Sequence, residues 1–116
     1  MEATHVFTTV VNEGKLEEYR RYHDNIWPEV TKGLVKAGVK RLSIYLVPET
    51  SRLIMTITTA SNIDLATALG PGSEYRQDPR CKEWEELMDG DFHGGWVEAS
   101  NIHSSDVHWN MASGIT

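Results

Sequence analysis

Apolar and β-branched residues gather in short runs along the chain, separated by stretches with helical spacing or turn residues. His5 to Val11 reads His-Val-Phe-Thr-Thr-Val-Val, and this mixture predicts a first strand. Asn12-Glu13-Gly14 ends it. Lys15 to His23 holds strong helix formers, with Glu17 and Glu18 early, where the helix dipole favours acids. Pro28 interrupts this segment and suits the first turn of a second helical stretch through Val30, Leu34 and Val35, with Gly38 as its stop. Arg41 to Val47 alternates Leu42, Ile44 and Leu46 against Ser43, Tyr45 and Val47, a second strand. Pro48-Glu49-Thr50-Ser51 is a turn, and Arg52 to Thr59 closes a hairpin as the third strand. Asn62 to Leu69 predicts a short helix, and Gly70-Pro71-Gly72-Ser73 a loop. Pro79 to Met88 predicts a helix with Trp84, Leu87 and Met88 at i, i+3 and i+4. Asp89 to Gly95 breaks it, Trp96 to His103 predicts a fourth strand, and the polar tail from Ser104 carries Trp109 and Met111.

The order is β-α-β-β-α-β, that of the α+β ferredoxin-like arrangement: an antiparallel sheet with helices on one face. At 116 residues, with no linker or repeat, residues 1–116 read as one domain. A core of that size leaves an apolar face available to a partner subunit, so a homodimer is expected. The 17 acidic against 11 basic residues give a net charge of −6, which argues against a nucleic-acid partner needing a basic surface. No stretch approaches the ~20 apolar residues of a membrane span, and the N-terminus lacks a basic, apolar targeting pattern. The single cysteine, Cys81, makes no internal disulfide and reads as a surface or half-buried thiol. A cytoplasmic protein with no membrane partner is the resulting expectation.

Tyr19, His23 and Trp27 stand at i, i+4 and i+8; even if the helix breaks near Asn25, Tyr19 and His23 share a face. A phenol beside an imidazole is an acid–base pair in type, and histidine titrates near neutrality. The plainer alternative makes Tyr19 and Trp27 core aromatics and His23 a satisfied neighbour. His93 lies in Asp91-Phe92-His93-Gly94-Gly95-Trp96, where two glycines allow backbone to approach a ligand, or simply form a loop. His103 and His108 are five apart in the tail, with no cysteine or second histidine cluster to make a metal site, and no metal is expected. No phosphate loop or nucleophile elbow occurs. Glu83, Glu85 and Glu86 read as the solvated face of a helix.

From Glu17 to Glu29 the chain reads Glu-Glu-Tyr-Arg-Arg-Tyr-His-Asp-Asn-Ile-Trp-Pro-Glu. It closely resembles the L-rhamnose mutarotase family, whose hallmark is a tyrosine, a histidine four residues on, then Ile/Val-Trp-Pro-Glu. Ser43-Ile44-Tyr45-Leu46 and Trp84 with Leu87-Met88 continue the match, over residues 4 to 103. The resemblance implies a dimeric ferredoxin-like isomerase that interconverts the α and β anomers of a 6-deoxy sugar, L-rhamnose or L-fucose, without a cofactor. It implies that His23 and Tyr19 are the catalytic residues, and it points to Trp84 as an apolar platform for the sugar. Trp27 and His93 complete the expected substrate-binding set. Where the family carries a tyrosine at the start of strand two, this chain has Leu42; Tyr45 falls on the opposite face. Two rival readings share the element order: a dimeric ferredoxin-like monooxygenase, and a non-catalytic sugar-binding relative.

Overall fold

Alternation along three long strands determines the architecture. In the computed structural model, which describes residues 1–105, β1 (Glu2–Val10), β2 (Val39–Leu46), β3 (Arg52–Ala60) and the short β4 (Val97–Glu98) form one sheet in the order β2-β3-β1-β4. All neighbouring strands are antiparallel. β1 and β3 pair over their whole length, from Glu2 opposite Ala60 to Val10 opposite Arg52. Successive side chains point to opposite faces, so Leu53, Ile57 and Thr59 of β3 are buried on the helical side. The other face carries Val6, Val10 and Tyr45, which stay exposed.

The helices are α1 (Leu16–Asp24), α2 (Pro28–Lys36), a short α3 (Leu65–Leu69), a 3₁₀ turn (Tyr75–Gln77) and α4 (Pro79–Leu87). Pro28 splits the first helical layer as its fixed φ and missing N–H require, standing at the first turn of α2. Gly38 follows α2 at φ 102°, a left-handed cap that a side chain would strain. α4 starts at Asp78, whose carboxylate accepts from the backbone N–H groups of Arg80 and Cys81, an N-cap worth ~1 kcal/mol. Gly33 lets α2 approach α4: a Cβ there would lie 2.9 Å from both Cys81 Sγ and Tyr75 Cδ1. Cys81 is fully buried at this contact, where the sequence suggested a surface or half-buried thiol.

The expected break after Met88 does not occur. The chain continues as one π-helical turn (Met88–Phe92), closed by the His93 N–H donating 3.0 Å to the Met88 carbonyl. The fourth strand is two residues long, far shorter than Trp96 to His103. Trp109, Met111 and His108 lie outside the described residues. Val11, Tyr19, Val30, Leu53, Trp84, Met88 and Phe92 form the core between sheet and helices. Among the described residues no helix is long and apolar enough to cross a membrane.

Candidate active site

The helical layer and the sheet enclose a cavity of about 120 Å³. α1 supplies Tyr19 and His23, α4 supplies Trp84 and Glu85, and the segment after α4 supplies Asp89, His93 and Trp96. Tyr75 and apolar side chains of α2 and the sheet, including Leu42, complete the wall. A wider groove of about 490 Å³ runs outward between α1 and β2. The two spaces share Tyr19, His23, Ile26, Leu42 and Ile44, so His23 and Tyr19 stand where the inner cavity meets the outer groove. A third, open groove of about 580 Å³ lies beyond Tyr75 between α2 and the 67–78 segment, but no histidine lines it.

His23 has a defined tautomer. Its Nδ1 lies 2.9 Å from the Tyr19 carbonyl oxygen; a carbonyl only accepts, so Nδ1 carries the proton and Nε2 holds the lone pair. The i, i+4 spacing places the His23 ring 4.2 Å from the Tyr19 ring, centroid to centroid. Burial lowers the His23 pKa, the Tyr19 carbonyl bond opposes this, and His93 adds to the lowering. The neutral imidazole, a base, is therefore the dominant form at pH 7. Tyr19 is 4% exposed, and burial raises its pKa, with the charges of Glu85 and Asp89 acting the same way. It remains a neutral phenol, a hydrogen-bond donor, across the physiological range.

His93 also reaches the Tyr19 ring, edge-on, with ring centroids 5.5 Å apart. It is 1% exposed and stacks edge-on to Trp96 at 4.9 Å. Its Nδ1–H donates 2.7 Å to the Gly94 carbonyl. Its Nε2 is buried without a hydrogen-bond partner among the described residues, a state that costs free energy unless a ligand or water supplies a donor. The π turn makes this placement possible: its extra residue per turn brings both Phe92 and His93 into the interior.

Of the five residues expected at the site, Tyr19, His23, Trp84 and His93 meet in the cavity wall. Trp27 does not line it. The helix stops at Asp24, so Trp27 leaves the Tyr19–His23 face and packs behind Trp84, ring centroids 5.1 Å apart, with the Arg80 guanidinium 3.7 Å from its own centroid. Trp84 touches His23 edge-on at 5.2 Å. Tyr45 is exposed and borders only the outer groove. Leu42 lines both spaces, so the strand-two position where the resemblance expects a tyrosine faces the site with a hydrocarbon.

Sequence reasoning missed Tyr75, Glu85 and Asp89. Glu85, read as part of a solvated face, turns inward beside Arg76, 3.7 Å away. Burial raises its pKa to about 7, although Arg76 works the other way and Asp89 adds to the rise. Nothing in the local sequence marks it out, since Glu83 adjoins Trp84 equally. Among the described residues no three His, Cys, Asp or Glu side chains gather into a group that could hold a metal.

The family model for L-rhamnose mutarotase matches residues 4–113. The chain belongs to the L-rhamnose mutarotase family. That name denotes an isomerase, the enzyme class expected from the sequence. An L-rhamnose mutarotase of Rhizobium johnstonii is 40% identical over 84 residues, 72% of this chain and 73% of that protein. A protein of Dictyostelium discoideum, named UPF0734 protein, is 32% identical over 80 residues, 68% of this chain but 61% of its own length. Among other L-rhamnose mutarotase relatives the aligned segment spans as little as 50% of the relative. The crystal structure of an L-rhamnose mutarotase from Formosa agariphila superposes with a TM-score of 0.66 at 23% identity, over 90% of this chain and 99% of that one. At that identity the likeness shows the fold, and it agrees with the ferredoxin-like order β2-β3-β1-β4 found here.

Proposed function

We propose that the chain is a sugar mutarotase that interconverts the α and β anomers of a 6-deoxy aldose, L-rhamnose or L-fucose, with residues 1–116 acting as one unit. The observation that carries this reading is the His23–Tyr19 pair: an imidazole whose Nε2 is free as a base, beside a buried phenol, at the junction of cavity and groove. In the reaction His23 Nε2 takes the proton from the anomeric hydroxyl as the C1–O5 bond breaks and the ring oxygen takes up a proton from a second acid. Rotation about C1–C2 presents the other face of the aldehyde, and ring closure reverses the proton transfers. Tyr19 donates a hydrogen bond to a sugar oxygen, and Trp84 and His93 hold the sugar. Positioned acid–base catalysis contributes ~10²–10⁴-fold, which suits a reaction that already proceeds in water.

Homodimerisation is part of the proposal. Val6, Val10 and Tyr45 are exposed on the sheet face away from the helices, interleaved with Thr8 and Arg52, and burying their apolar surface against a second copy is favourable at ~25 cal/mol per Å². The test is saturation-transfer NMR of anomer exchange across L-rhamnose, L-fucose and other aldoses. Exchange above the buffer rate with a 6-deoxy sugar is the expected result. Binding of these sugars without any acceleration identifies a non-catalytic relative and ends the mutarotase reading.

A further inference from the structure

Mutarotation needs two proton-transfer groups: one at the anomeric oxygen and one at the ring oxygen. His23 Nε2 fills the first place. Tyr19 is poorly suited to the second, because its buried phenol holds its proton far above working pH, and acid catalysis is most efficient when the donor's pKa lies near that pH.

Resting on the mutarotase reading, we propose that Glu85 is the second proton-transfer residue, the acid that protonates the ring oxygen from the α4 side of the cavity. Four observations support this. Glu85 lines the same inner cavity as Tyr19, His23 and His93, from the facing helix. Arg76 holds it in place: Nη2 lies 3.7 Å from Oε1, while the Arg76 Nε–H donates 2.9 Å to the Leu69 carbonyl and anchors the guanidinium. Its charge is felt by both cavity tyrosines, Tyr19 and Tyr75. Its own carboxyl is shifted to about 7, so an appreciable fraction is protonated at neutral pH. The ionisable groups around it are Arg76 and Tyr75 from the 3₁₀ turn, Tyr19 and His23 from α1, Cys81 one turn earlier on α4, and Asp89 and His93 beyond α4. From α2 and the sheet only apolar side chains face the cavity.

The balance is closed. His23 Nε2 accepts the O1 proton, the C1–O1 double bond forms, and the C1–O5 pair moves to O5, which takes the Glu85 proton. The open-chain aldehyde then faces an imidazolium and a carboxylate. On closure Glu85 takes the O5 proton back as O5 attacks the other face of C1, and His23 returns a proton to O1. A base shifted down and an acid shifted up across one cavity is the arrangement expected of such a pair.

The experiment is a pH–rate profile of anomer exchange, buffer rate subtracted, for the wild type and for Glu85→Gln, with sugar binding followed by tryptophan fluorescence. The wild type should give a bell: exchange falls at low pH as His23 protonates and falls above about pH 7 as Glu85 ionises. Glu85→Gln should lose ~10²-fold in kcat, with KM little changed, and should lose the high-pH limb. A variant that keeps its kcat, or keeps the limb near pH 7, overturns the inference. So does a loss confined to KM and sugar binding, which would make Glu85 a binding residue. Carbon-13 NMR of the wild-type carboxyl gives a reading that needs no variant: a Glu85 midpoint near 4.5 also overturns it. A wild type that accelerates no exchange overturns the mutarotase reading as well, so the two failures are distinguishable.

Discussion

Replacing Glu85 by glutamine should make the protein more stable, and increasingly so as the pH rises. In the native protein the carboxyl binds its proton more tightly than in the unfolded chain, with a pKa raised from 4.5 to about 7, chiefly by burial. The sign follows from linkage: stability associated with this group is fully present below pH 4.5 and is lost as the pH rises through about 7. At ~1.4 kcal/mol per pH unit the penalty reaches about 3 kcal/mol at pH 8 and is below about 1 kcal/mol at pH 5. Glutamine keeps the shape and never ionises, so the variant should gain on the wild type by about 2 kcal/mol between pH 5 and pH 8. That allows a discount for the side chain's 28% exposure and for the attraction of Arg76 that the variant forgoes. For 116 residues the unfolding entropy near 60 °C is about 0.24 kcal/mol/K, so the melting temperatures should diverge by about 8 °C. Thermal melts of both proteins at equal concentration from pH 5 to 8.5 measure this directly. A gap that stays constant with pH, or a variant less stable at pH 8, would refute the reading of Glu85 as a half-buried acid with a raised pKa.

His23→Ala should reduce anomer exchange by ~10²-fold or more with an unchanged melting temperature, and Tyr19→Phe should cost less because the ring packing survives; saturation-transfer NMR reads both. Trp84→Ala should destabilise the fold by about 3–5 kcal/mol in urea titration, since Trp84 is 4% exposed and meets Tyr22, His23 and Trp27 edge-on, whereas Trp84→Phe should keep the fold. Sedimentation should show a species of twice 13.1 kDa, and Val6→Asp, on the open sheet face, should shift it to the monomer; a wild type that sediments only as the monomer refutes the homodimer.

The sheet was readable because its signals are local. Leu42, Ile44 and Leu46 alternate in the sequence and all turn toward the helical layer, and Pro28 and Gly38 mark the two ends of α2 with little to compete against them. The pairing of Tyr19 with His23 was readable for the same reason, since four residues on one helix fix their neighbourhood whatever the rest of the chain does. Features set by tertiary packing were not. Trp27 looked like a continuation of the same face, but Pro28 forces its backbone out of the helix, to φ −66° and ψ 132°. The Asp89-to-Gly95 stretch reads as a breaker, yet Met88 to Phe92 stays helical because the wide turn lets Phe92 be fully buried. Glu85 follows Trp84 in a run of acids, and only the packing of the 3₁₀ turn, which brings Arg76 beside it, distinguishes it from Glu83.

Two of these surprises, the inward Glu85 and the π turn that leads into His93, fall at the same cavity. A chain selected for stability alone would replace a half-buried carboxyl whose pKa is raised to about 7 and end a helix with a glycine cap in place of a π turn. The raised carboxyl pKa alone is unfavourable by about 1–3 kcal/mol near neutral pH. Rules of local consistency are expected to break where function requires it. Here Glu85 and His93 border the 120 Å³ cavity at whose mouth His23 presents its free nitrogen, and the π turn is what delivers His93. A stabilising Glu85→Gln change that abolishes exchange would be the direct expression of that trade-off. The same change with activity intact would leave the half-buried carboxyl without a purpose at the site.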